Sequence, residues 1–168
     1  LFYNHDESRG RYGENDNQDI RKFLFVLLHS MPGLKIMYYG EEIGMNDGID
    51  KNIDKVGRDN CRSLFPWNEN TKEPELNNKL TLNNQIKDKD SYYNFVIETI
   101  NILYQDFEEN FKIDIHNNIL IIQKYNRFRI WLNFGNSVCL NVEPIYFNLY
   151  NNKRLEQYGF IIEKYIYC

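Results

Sequence analysis

Apolar positions along this chain change their spacing three times, and each change marks a different kind of element. The apolar stub Leu1-Phe2-Tyr3 ends in a polar run, Asn4-His5-Asp6-Glu7-Ser8-Arg9, as a buried strand does when it opens into a loop. Residues 10–17 are polar and turn-rich, and Asp16 or Asn17 can cap the helix that follows. From 18 to 30 the apolar residues Ile20, Phe23, Leu24, Leu27 and Leu28 fall on one helical face, which Phe25 and Val26 widen. A helix this broadly apolar belongs against a sheet. His29, in its last turn, reads as a residue meeting the helix dipole rather than a ligand. Met31-Pro32-Gly33 breaks the helix, and 34–39 (Leu-Lys-Ile-Met-Tyr-Tyr) reads as a second short buried strand leading into Gly40-Glu41-Glu42-Ile43-Gly44-Met45.

Strand, helix, strand with short joins is a βαβ unit, which implies parallel strands and a right-handed crossover. Loops after both strands then open on one edge, placing Asn4-His5-Asp6 and Glu41-Glu42 on the same side. Adjacent glutamates point in different directions, so Glu41 and Glu42 are expected to support that rim rather than act as an acid/base pair. Periodicity fades from 46 to 90, where Gly48, Gly57, Pro66, Pro74 and many Asn and Asp residues mark a long excursion. Structureless loops of that length inside a compact domain are usually functional or wrongly assigned. A helical stripe returns over 91–104 through Tyr92, Phe95, Val96, Thr99, Ile100 and Leu103, with Ser91 as cap. Beyond 110 the period is that of strands: 111–115, a turn at His116-Asn117-Asn118, then 119–125, 128–134, 137–141, 145–150 and 160–167. This half reads as an antiparallel meander folding into a small sandwich-like domain, with a boundary near 105–110. The fold class is thus α/β followed by all-β, divided as 1–106, including the loop 46–90, and 107–168.

Composition narrows the function. The 168 residues are 42% hydrophobic and 15% aromatic, which requires a buried core. A net charge of -4 with no basic block argues against nucleic acid as a partner. No apolar run approaches the ~18 residues that cross a bilayer. Neither a basic-then-apolar leader nor an initiator methionine opens the chain, which reads as the tail of something longer. Cys61, Cys139 and Cys168 lack metal-ligand spacing and read as free thiols or one disulfide. No metal and no cofactor is expected.

Candidate chemistry lies in the polar run after the first strand. A carboxylate accepts several hydrogen bonds and an imidazole donates or accepts one, a combination suited to a polyol such as a sugar ring. Within the excursion, Gly57-Arg58-Asp59-Asn60-Cys61-Arg62-Ser63 sets two arginines four apart ahead of Phe65 and Trp67. Guanidinium forks beside an aromatic ring suit carbohydrate, and an ordinary salt-bridged loop suits the same residues.

These blocks, in this order, resemble the α-amylase family of glycoside hydrolases, closest to its α-glucosidase (maltase) branch. The resemblance rests on Asn4-His5-Asp6-Glu7-Ser8-Arg9 with Arg11-Tyr12-Gly13, on Met31-Pro32-Gly33 with Tyr38-Tyr39-Gly40-Glu41-Glu42-Ile43-Gly44-Met45, and on 57–63 leading to Trp67. It implies the last part of a (β/α)8 TIM barrel, followed by a small antiparallel C-terminal β-domain. It implies that Asp6 is the family's third, transition-state-stabilising carboxylate, that His5 bonds the same sugar, and that Arg58, with Asn4, holds the glucose at the non-reducing end. The partner it implies is an α-linked glucose disaccharide or oligosaccharide. Secretion is expected for the parent if it is insect-like. Family members retain anomeric configuration through a nucleophile and an acid/base carboxylate about 5 Å apart. Both come from earlier barrel strands, so this chain alone is expected not to hydrolyse α-glucosides.

The chain departs from the family at 62–68, Arg-Ser-Leu-Phe-Pro-Trp-Asn, where Arg-Thr-Pro-Met/Phe-Gln-Trp-Asp is usual, and in lacking the Gly-Phe-Ser segment that follows. Pro66 in place of Gln removes a side-chain hydrogen bond and a backbone donor on the aglycone side. A competing reading is a non-catalytic relative like the heavy subunits of amino-acid transporters. Those tend to have lost the His-Asp pair that is intact here. Strands from an incomplete barrel also leave apolar faces uncovered, so Phe23, Leu24, Leu27 and Ile36 are expected to be partly exposed.

Overall fold

A computed structural model describes residues 4–6, 9, 17–48, 58–70, 81–104, 111–124 and 127–164. The stub at 1–3 and the capping Asp16 lie outside the described residues. The chain divides into two compact units, Leu1–Asn17 with Lys35–Ile100, and Gln18–Leu34 with Asn101–Cys168.

The first unit is built from short elements. Residues 34–38 carry no regular secondary structure and join no ladder, and Glu41–Ile43 forms a single 3-10 turn. The expected buried strand at 34–39 is therefore corrected: Leu34, which opens this stretch, is 89% exposed and Ile36 is also exposed. A strand exists only by pairing. Among the described residues every ladder is antiparallel and lies beyond residue 110, and the first strand of the expected βαβ unit lies outside the described residues. Asp59–Arg62 forms a second 3-10 turn. Helix α2, Leu82–Lys87, falls inside the stretch read as structureless. It is held by Gln85, whose side chain donates to the Ile43 carbonyl (2.8 Å) and accepts the Tyr93 N–H (2.9 Å). Helix α3, Tyr92–Leu103, starts where the sequence places it. Ser91 caps it, its hydroxyl accepting the Asn94 N–H at 3.2 Å.

In the second unit, helix α1, Gln18–Ser30, has the bounds its periodicity predicts. It packs on the sheet, with Phe23 edge-on to Phe134 at 4.9 Å and to Tyr158 at 5.8 Å. Phe23 is consequently buried, contrary to the expected exposure, while Leu24 and Leu27 are half-buried. His29 is buried too, stacked on Phe25 and bonded through Nδ1 to the Tyr104 hydroxyl at 2.9 Å.

The described strands are β1 Phe111–His116, β2 Ile119–Lys124, β3 Phe128–Asn133, β4 Val138–Cys139, β5 Pro144–Asn151 and β6 Arg154–Lys164. They form a single sheet in the order β1-β2-β3-β6-β4, with β5 also on β6. The chain is thus not a simple meander beyond β3, because β6 carries three neighbours: β5 along one edge, β3 and β4 along the other. Its core is written in the register. Ile122, Ile130 and Ile162 stand side by side, as do Leu120, Leu132 and Phe160, and among these only Leu120 is not fully buried.

One buried polar side chain locks the end of β3. Asn133 donates from Nδ2 to the carbonyls of Asn136 (3.0 Å), Leu155 (3.1 Å) and Glu156 (3.1 Å), and accepts the Gly135 N–H through Oδ1 at 3.0 Å. Truncating it strands buried backbone groups. Asn133→Ala is expected to lower stability by about 2–3 kcal/mol, whereas Asn136→Ala, which contributes only its carbonyl, leaves it unchanged. Urea unfolding of both variants measures this, and equal midpoints would contradict it.

Candidate functional site

The site grows out of one tight turn. Asn4 accepts the Asp6 N–H through Oδ1 at 2.7 Å, closing an Asx turn that presents His5 and Asp6 side by side. Both are open to solvent, with side-chain exposures of 67% and 48%, and neither lies in an apolar core. His5 Nε2 stands 3.4 Å from Asp6 Oδ2.

The other carboxylate oxygen is already occupied. Asp6 Oδ1 accepts Arg58 Nη1 at 2.6 Å and Arg62 Nη2 at 3.1 Å. Arg62 also donates through Nε to the His5 carbonyl at 2.7 Å, so one guanidinium grips both the side chain and the backbone of the turn. The Arg58 hydrogen bond holds the Asp6 carboxyl below the usual aspartate range; desolvation opposes it, and the charges of His5, Arg58 and Arg62 each lower it by less.

The two arginines reach Asp6 from the two ends of one 3-10 turn, Asp59–Arg62: Arg58 stands at its N-cap and Arg62 is its last residue. That turn is itself anchored. Buried Cys61 donates its thiol to the Arg58 carbonyl at 3.0 Å, and Tyr38 donates its hydroxyl to the Cys61 carbonyl at 3.3 Å. The Tyr39 hydroxyl reaches the Ser63 carbonyl at 2.7 Å, and the Gly48 N–H reaches the Asn60 carbonyl at 2.9 Å. A residue outside the expected site set completes the frame. Arg9 is buried with its guanidinium 4.6 Å from the ring centres of both Tyr38 and Tyr39, and it donates to the Tyr39 carbonyl at 2.7 Å. Its N–H bonds Asp47 Oδ1 at 2.8 Å.

Of the predicted site residues, Asn4, His5, Asp6 and Arg58 are brought together. Asn4 acts on the turn's own backbone. Glu41 is buried and accepts the Tyr38 N–H at 3.1 Å, the supporting role its position suggested. Arg9 and Arg62 are the additions. Both stand in the quoted motifs, but only the fold shows which side chains they meet. Cys61 and Cys139 are free thiols, and no three described His, Cys, Asp or Glu side chains gather as metal ligands. No described helix is long and apolar enough to cross a membrane.

Because the Asp6 pKa is depressed, its pairing is complete above the ordinary aspartate range and is lost only as pH falls through the lowered value. Carboxyl-resolved NMR titration should show Arg58→Gln raising the Asp6 midpoint more than Arg62→Gln does. A midpoint that neither substitution moves would contradict the pairing.

Comparisons with known proteins bear on what this cluster serves. A family model described as the alpha-amylase catalytic domain matches residues 1–130. No curated protein sequence matches. Among solved structures, a mutant of the trehalulose synthase MutB in complex with glucose superposes with a TM-score of 0.72 at 18% identity, over 96% of this chain and 42% of that one; MutB comes from Pseudomonas mesoacidophila MX-45. An isomaltulose synthase mutant from Erwinia rhapontici NX5, in complex with D-glucose, gives 0.71 at 18% over 97% and 42%. The alpha-glucosyl transfer enzyme XgtA gives 0.70 at 16% over 97% and 39%. The chain therefore spans about two fifths of the length of these enzymes and shares their fold over that stretch.

Proposed function

This chain belongs to the alpha-amylase family, and on that premise we propose that it carries the sugar-holding part of an α-glucosidase (maltase)-type site. The observation that carries the proposal is the division of labour on Asp6. One oxygen is fixed by Arg58 and Arg62, while the other stands 3.4 Å from His5 Nε2 on a side chain that is 48% exposed. A glucose unit can place a hydroxyl between Oδ2 and the imidazole, donating to the carboxylate and accepting from the ring. A carboxylate immobilised on one side needs little rearrangement when positive charge develops at the anomeric carbon, which is how a preorganised group stabilises a transition state. Asp6 thus acts as the stabilising carboxylate, His5 as its neighbour on the sugar, Arg58 as the fork that orients both, and Asn4 as the residue that shapes the turn.

In a complete (β/α)8 barrel these residues would sit at the end of one of its last strands, with the β-rich half as the C-terminal domain. Retaining hydrolysis of an α-glucoside needs two further carboxylates, one to attack and one to protonate the leaving group. Asp6 alone supplies neither the covalent bond nor the proton. The full-length parent would perform the reaction on an α-linked glucose disaccharide or oligosaccharide, and the 168-residue chain by itself would bind without turnover.

Two measurements on the isolated chain test this. Saturation-transfer NMR with maltose should detect binding that Asp6→Asn and Arg58→Ala weaken about tenfold, the scale of one lost charge-assisted hydrogen bond. Assays with maltose and a chromogenic α-glucoside should give no turnover above an Asp6→Ala control. Binding indifferent to both substitutions, or turnover that Asp6→Ala abolishes, would overturn the proposal.

A further inference from the structure

Strand β1 is the outer strand of the sheet, and all six of its residues are exposed. Among the described residues it pairs only with β2. Its first five residues, Phe-Lys-Ile-Asp-Ile, are complementary to their own reverse about Ile113. We propose that β1 is a homodimerisation edge: two copies of this chain pair β1 against β1, antiparallel about a twofold axis at Ile113.

Three observations converge on that register. The first is backbone direction. Asn117 and Asn118 have φ of 48° and 65°, a two-residue type I′ turn between His116 and Ile119. Such a turn closes with a hydrogen bond between its flanking residues, so His116 pairs inward with Ile119. Alternation along an antiparallel ladder then makes Lys112, Asp114 and His116 the residues bonded to β2. The N–H and C=O groups of Phe111, Ile113 and Ile115 consequently point away from the sheet. A twofold at Ile113 sets those groups against their equivalents, with Ile113 opposite Ile113 and Phe111 opposite Ile115.

The second is charge. In the same register Lys112 of each copy lies opposite Asp114 of the other. Within one chain these two already form a 2.9 Å ion pair on the solvent face, with side-chain exposures of 71% and 53%. A twofold at Asp114 would instead oppose the two Asp114 carboxylates and set Lys112 against His116. Like charges directly opposite are unfavourable, so of these two centres Ile113 is favoured.

The third is the apolar row. Ile113 stands beside Ile122, and that row continues through Ile130 to Ile162 at the centre of the sheet. Ile115 likewise continues the row of Leu120, Leu132 and Phe160. Both rows are buried inside the sheet and run out to solvent at β1, where Phe111, Ile113 and Ile115 are exposed. Docking a second β1 extends the rows across the axis and covers them.

Sedimentation velocity of the full chain over about 10 µM to 1 mM tests this by mass action. The wild type should shift from monomer to dimer across that range. Lys112→Asp and Asp114→Lys, each alone, should raise the midpoint concentration at least tenfold, and the double swap carrying both should restore it. Ile113→Pro removes an outward-pointing N–H and part of the exposed end of the apolar row but no N–H bonded to β2, so it should abolish the dimer while amide exchange in β2, β3 and β6 stays at wild-type levels. A wild type that remains monomeric throughout, or a dimer indifferent to both charge reversals, would overturn the proposal.

Discussion

Everything in the first unit turns on one carboxylate oxygen being shared by two guanidinium groups. Asp6 Oδ1 meets Arg58 and Arg62 together, and Arg62 also holds the carbonyl of the preceding residue. Two cations on one anion leave the cluster net positive, and charge-assisted bonds of this kind are short and directional. The carboxylate therefore remains ionised and loses its rotational freedom at one oxygen, while the other stays available. The scaffold behind it serves to keep the arginines in place. Cys61 braces Arg58 from within its own turn, Tyr38 and Tyr39 grip that turn with their hydroxyls, and their rings enclose Arg9. Gly40 permits the close approach on which this depends. Its φ is +86°, and a Cβ there would lie 2.7 Å from Met45 Sδ.

Sequence patterning reveals the elements that are stabilised locally and misses those that depend on distant partners. Helix α1 was legible to the residue, because an apolar face along thirteen residues stopped by Met31-Pro32-Gly33 admits one reading. The β1–β2 hairpin was equally plain from its alternation and its Asn-Asn turn. By contrast, 34–39 carries the composition of a buried strand, but composition cannot supply the neighbours that make one. Helix α2 was invisible because six residues rich in Asn and Gln carry no stripe, and Gln85 anchors it through contacts made 42 positions away and nearby. The beginning of β6 was lost for a related reason. Its polar residues 154–159 are strand only because β4 and β5 flank them, and the left-handed Tyr158 interrupts the alternation.

The same distinction runs through the site. The residue types at Asn4, His5, Asp6 and Arg58 suggest hydroxyl recognition, and the fold places them within reach of one another. The sequence places Arg62 four residues after Arg58 without saying that both fall on the same oxygen. Arg9 stands in a quoted motif with no role assigned to it, whereas burial beside two tyrosine rings makes it part of the frame. Side chains whose importance lies in what they hold, rather than in what they could bind, carry no mark in a single sequence. Family membership places these residues in the alpha-amylase family, and the chain covers about two fifths of the length of the enzymes compared above.

The clamp on Asp6 is tested most directly by amide hydrogen exchange at residues 58–63 in the wild type and in Asp6→Asn. That substitution keeps the shape of the side chain and removes its charge. If the carboxylate ties the 3-10 turn at Asp59–Arg62 to the turn at His5, protection there should fall at least tenfold while β2, β3 and β6 exchange as before. Unchanged protection at 58–63 would mean that the turn is held without Asp6, and the account of the site would fail.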